Sequence, residues 1–194
     1  MLYKQFQKVD GRQLILLTVI LVFAMLYNNV ALLGRQKIPR TNPWLKSATI
    51  AIVWAGASVF FPCFMNNYLS STLIYFFLLN VLFIFCLSVV FDIKDMEQDK
   101  QDNIKSLVLL LGIQKVKQFF LYPICGLIAV LNIILWFSNQ PFSIINFLSF
   151  IPLLLLILLI KKWDSKKSTL HYFIFIDGLL FIKGLIGIII PFIR

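Results

Sequence analysis

The chain has 194 residues, of which 60% are hydrophobic and 13% charged, with 20 phenylalanines and a formal net charge of +10. A mean hydropathy of +0.91 is more than a soluble domain of this length can bury, so the composition excludes a water-solvated fold and makes lipid the solvent. The excess of Lys and Arg then belongs to loops at the membrane surface and is no nucleic-acid signature. Cys63, Cys86 and Cys125 stand singly in apolar runs, without disulfide or zinc spacing, and the single histidine, His171, excludes a histidine-built metal site.

A bilayer core about 30 Å thick needs on the order of 20 helical residues. Six stretches qualify, approximately 14–33, 45–64, 72–91, 118–137, 144–160 and 170–191. Backbone groups in lipid must bond within their own segment, so each is predicted to be a helix. The expected fold is all-α, a polytopic membrane bundle of six transmembrane helices forming one domain over 1–194. The first apolar run is too long for a signal-peptide core and is read as retained.

The first span ends near Tyr27, Asn28 and Asn29, which suit interfacial anchoring and are also candidates for a site. The loop after it carries Arg35, Lys37, Arg40 and Lys46, and its prolines, Pro39 and Pro43, suit turns. Lys46 opens the second helix, where an anion would find free backbone N–H groups beside the ammonium; it also serves simply as a topology charge. The loop at 161–167 holds four lysines against Asp164, whereas those at 65–71 and 138–143 carry no charge. Alternation of spans puts the charged loops on one face, which the positive-inside rule makes cytoplasmic, in an inner membrane of bacterial type. The basic tail with Lys4, Lys8 and Arg12 falls on the opposite face, a conflict that further spans ahead of this sequence would relieve.

Charge concentrates after the third span, where Asp92, Asp95, Glu97, Asp99 and Asp102 make up five of the eight acids. In a helix, at about 100° per residue, the four aspartates share one face and Glu97 points away. Like charges at these spacings repel, more strongly near a membrane. Lys94, Lys100 and Lys105 lie off the stripe, and a divalent cation answers the geometry better. Mg2+ suits it, being held by one or two carboxylates plus waters and phosphate oxygens. The same composition also suits a solvated loop. In the last span, Asp177 and Lys183 are costly in lipid and are functional candidates by default; their spacing separates them around the helix, and each precedes a glycine that lets another helix approach. Lys183 is also compatible with a polar cavity near mid-bilayer.

These residues resemble the UbiA superfamily of intramembrane prenyltransferases. The family's second aspartate-rich motif, Asp-x-x-Asp-x-x-x-Asp followed by a basic residue and later Ile-Lys-Thr or Ile-Lys-Ser, is matched by Asp92 to Lys100 running on into Ile104-Lys105-Ser106. Ile38-Pro39, Leu45-Lys46, Trp54-Ala55 and Asp177-Gly178-Leu179 extend the likeness over nearly the whole chain. The resemblance implies transfer of a polyprenyl group from its diphosphate to an aromatic or similar acceptor. It implies Mg2+ held by Asp95 and Asp99 with Asp92, and phosphate contacts from Lys94, Lys105 and Lys46. It also implies a polyprenyl diphosphate substrate lying among Phe-rich helices.

Two departures stand out. Gln98 and Asn103 replace family glycines, and Asn is the residue other than Gly that best tolerates a left-handed conformation. The family's first motif, Asn-Asp-x-x-Asp, is absent, since the remaining acids are Asp10, Asp164 and Asp177. By order the chain corresponds to helices four to nine of nine. It is therefore expected to be a truncated or split member, inactive alone, and completed by a three-helix segment or a partner chain. The rival readings are a non-catalytic isoprenoid- or quinone-binding membrane protein and a small transporter component.

Overall fold

The computed structural model describes residues 11, 18, 22, 43–65, 72–101, 103, 105–138, 148–162 and 169–193. All regular structure among them is helical. The helices are α1 (Pro43–Met65), α2 (Thr72–Lys94), α3 (Met96–Gln101), α4 (Leu107–Leu111), α5 (Ile113–Val116), α6 (Tyr122–Ser138), α7 (Phe150–Lys162) and α8 (Thr169–Ile193). A single π-helical turn, Lys117–Leu121, joins α5 to α6. Two helical runs, Leu73–Lys94 and Ile113–Leu135, are long and apolar enough to cross a membrane. The expected span at 14–33 with its Tyr27, and Asp102, fall outside the described residues apart from the helical Thr18 and Val22.

The bundle is organised around α2, which packs against α1 and also meets α4, α6, α7 and α8. Its second half shows why: Cys86, Leu87, Val89, Val90 and Ile93 are all buried, so the helix is enclosed on more than one face there. At its start the same helix exposes Ile74, Tyr75, Phe76 and Leu78. Elsewhere Trp54, Phe119, Val130, Phe137, Leu154 and Phe181 are more than half exposed. Apolar surface on this scale is tolerable only against lipid or a partner.

Short elements turn the chain at the charged end. Asp95 forms a turn between α2 and α3, yet its amide still bonds Phe91 O at 3.1 Å and its carbonyl accepts from the Asp99 amide at 2.7 Å. The helix is therefore nearly continuous from Asp92 to Gln101. Asn103 then takes φ +54°, a left-handed position that an Asn tolerates. Ser106 caps α4, its buried side chain accepting from the Leu109 amide at 3.4 Å. Gly112, at φ 79° and ψ 153°, makes the corner between α4 and α5 in a region that is essentially reserved for glycine.

Candidate functional site

The first turn of α1 lies against the end of α2. Lys46 Nζ reaches Asp92 Oδ1 at 2.8 Å and Asp99 Oδ2 at 3.2 Å, with side-chain exposures of 11%, 2% and 6% respectively. The same ammonium donates to Asp99 Oδ1 at 3.4 Å. Ser47 Oγ donates to the other Asp92 oxygen at 2.9 Å, so both oxygens of that carboxylate are engaged. Asp92 and Asp99 are seven residues apart, two helical turns, which is what brings them to one point. One ammonium between two carboxylates leaves the cluster with an excess negative charge in surroundings from which water is largely excluded.

Trp44, 40% exposed, ties the same turn of α1 to two other segments. Its ring stacks on Phe85 of α2 with centroids 6.3 Å apart and meets Phe120 of the π-helical turn edge-on at 4.7 Å. Asp95 departs from the aspartate stripe. It sits at the turn, one-third exposed, with Lys94 Nζ 3.6 Å from its Oδ1. Lys94 also lies 5.2 Å from the centroid of the Phe91 ring. Lys105 is exposed beyond α3. Of the predicted residues, the structure thus gathers Asp92, Asp99 and Lys46, holds Asp95 and Lys94 as a neighbouring pair, and leaves Lys105 in the open.

A cavity of about 730 Å3 lies among α1, α2, α6, α7 and α8, with Lys46, Asp92 and Asp99 outside its lining. Ser88 and Phe91 line its near end, Asn132 of α6 and Leu153 of α7 its flanks, and Asp177 and Lys183 of α8 its wall. Ser88 precedes Asp92 by one helical turn and is 6% exposed; its hydroxyl has no hydrogen-bond partner among the described residues. Asp177 is exposed. Lys183, which the sequence reading made compatible with a polar cavity, donates to Asn80 Oδ1 of α2 at 2.7 Å. Ser47, Ser88 and Asn80 carry no signal in the sequence; only the adjacency of Ser47 to Lys46 hints at the first.

A model of the UbiA prenyltransferase family matches residues 9–179. The chain belongs to that family. No curated protein and no solved structure matches it. UbiA proteins are embedded in membranes, and the two long apolar helices agree, so this member is a membrane protein. Enzymes of the family generally use Mg2+. Among the described residues no three acidic, His or Cys side chains gather closely enough to hold a metal. Asp92 and Asp99 nonetheless converge on one cation, the Lys46 ammonium, and two carboxylates with water and phosphate oxygens form a donor set that Mg2+ accepts. The two carboxylates are therefore chemically compatible with the ion, and the Lys46 ammonium with a phosphate oxygen.

Proposed function

We propose that this chain is a UbiA-type prenyltransferase subunit that takes the diphosphate head of a polyprenyl diphosphate at the Lys46–Asp92–Asp99 cluster and its chain in the adjoining cavity. It transfers the prenyl group to an aromatic or similar acceptor when the site is complete. The carrying observation is the nearness of a buried charged cluster to an apolar cavity: Ser88 and Phe91, which line the cavity, precede Asp92 on one helix by one turn and by one residue. An amphiphile with a charged head and a hydrocarbon tail is the ligand such a shape accommodates.

In this reading Asp92 and Asp99, with Asp95 at the turn, hold Mg2+, and the ion when bound supplies charge neutralisation to the leaving diphosphate. Lys46, already inside the cluster, donates to phosphate oxygens, and Lys94 and Lys105 approach them from the exposed side. Donors held in place before the reaction stabilise developing charge without reorganising, which is the largest contribution in many enzymes. The apolar wall excludes water from the carbon that becomes electron-deficient, and Phe91, at the near end of that wall, offers an aromatic ring beside it.

The fuller architecture belongs to the same proposal: six spans in one domain, with the charged loops cytoplasmic. So does the need for a second carboxylate cluster from a three-helix segment or a partner chain, because acids outside the central stretch are confined to Asp10, Asp164 and Asp177. The test is binding of a non-hydrolysable prenyl diphosphate analogue to the full chain in nanodiscs, with and without Mg2+. Wild type is expected to bind in a Mg2+-dependent manner and Asp99→Asn at least tenfold more weakly. Equal, Mg2+-independent binding by both would overturn the reading. Transfer of a labelled prenyl group by the isolated chain would remove the need for a partner.

A further inference from the structure

The cavity has a second polar end, far from the aspartates. Asn80 and Asp92 lie on one continuous helix, twelve residues and therefore about 18 Å apart along its axis. There Lys183 of α8 donates to Asn80 Oδ1 at 2.7 Å and lies 4.1 Å from the centroid of the Phe83 ring. The Asn80 amide is oriented for this: its nitrogen donates to Phe76 O at 2.8 Å, which turns the oxygen to the lysine. No carboxylate pairs with Lys183 among the described residues. Asp177 lies six residues earlier on the same helix, about 9 Å along the axis, and makes no ion pair with it.

An amide oxygen and a ring face orient an ammonium but do not neutralise it. A cation inside an apolar bundle normally pairs with an anion, and such residues mark ligand or ion sites. The buried Ser88 hydroxyl, two turns along α2 toward Asp92 and without a hydrogen-bond partner among the described residues, offers a further polar atom on the same cavity wall. A volume of about 730 Å3 falls within the roughly 300–1,000 Å3 of sites that enclose one small ligand.

We propose that the Lys183–Asn80 end of the cavity is a second binding site, which takes the carboxylate of a single-chain amphiphile with its hydrocarbon lying along the cavity wall. A carboxylate matches the single positive charge, whereas a phosphate dianion would keep one charge without a counter-ion. The acid's hydrocarbon and a prenyl chain would compete for this one cavity, but the contact at Lys183 does not require that the aspartate cluster bind diphosphate.

Trp54 lines the same cavity and serves as the probe. The full chain in phosphatidylcholine nanodiscs is titrated with dibromostearate, whose bromines quench nearby indoles, and separately with its methyl ester. A saturable component of quenching by the acid, lost in Trp54→Phe and superposed on the non-saturating quenching of lipid-facing indoles, is expected at roughly tenfold lower concentration than any saturable quenching by the ester, a difference of one charge-assisted contact. Lys183→Met should bring the acid to the level of the ester, and Lys183→Arg should restore most of the difference. Asp92→Asn should leave acid binding in place. Identical titrations by acid and ester in wild type would overturn the proposal even if Lys183→Met failed to fold. So would wild-type acid binding by a folded Lys183→Met protein, or loss of acid binding in a folded Asp92→Asn protein.

Discussion

Two lysines in this bundle are held in opposite ways. Lys46, at the charged end, has two carboxylates within 3.2 Å and a serine completing the shell around one of them. Lys183, at the other end of the cavity, has an amide and an aromatic ring. The first arrangement is electrostatically satisfied and carries an excess of negative charge, the feature on which the proposed cation and phosphate binding rests. The second is oriented without being neutralised, and it is receptive to an anion. The same side chain therefore marks different chemistry according to its neighbours' charge, and a lysine count alone does not distinguish the two.

Removing the satisfied lysine should have the largest consequence. Lys46→Met would leave Asp92 and Asp99 buried beside each other without a counter-charge, and breaking a buried pair this way costs about 3–5 kcal/mol. A marked fall in apparent melting temperature of the purified protein is the expected readout, and Lys46→Arg should recover part of it. Ser47→Ala removes one hydrogen bond to a charged oxygen, about 1.5–3 kcal/mol, and should lower the melting temperature less than Lys46→Met. Loss of the α4 cap in Ser106→Ala should cost about 1 kcal/mol, detectable as faster amide exchange at Leu109. The Lys94–Asp95 pair, 20% and 33% exposed at 3.6 Å, stands at the bottom of the order. Lys94→Ala should change stability by no more than about 1 kcal/mol in the same melting assay. If Lys94→Ala proved as damaging as Lys46→Met, the contrast between buried and half-solvated ion pairs would fail.

Helical character, the crowded aspartates and the left-handed turn at Asn103 were legible from composition and spacing. The helix continues from Asp92 to Gln101 much as the residue pattern implies, which keeps Asp92 and Asp99 two full turns apart on one side, while Asp95 sits at the turn between α2 and α3 and to one side of that line. Asp92 and Asp99 therefore meet, while Asp95 goes to Lys94. Pairings across the fold were not legible. Lys46 and Asp99 are 53 residues apart and Lys183 and Asn80 are 103 apart. Helices that are apolar on nearly every side carry no stripe to say which face meets which neighbour. Ser47, Ser88 and Asn80 acquire meaning only once the packing sets a lysine, a cavity or an aspartate beside them.

Trp44 has a consequence for how the charged end meets a guest. Because its ring is wedged between Phe85 and Phe120, the backbone two residues ahead of Lys46 is pinned to two other segments. In the proposed reading, the flexible four-carbon stem of the lysine is the part that turns from carboxylate to phosphate. The anchorage confines adaptation to one side chain, so the ordering of the main chain is spent during folding and not at each encounter.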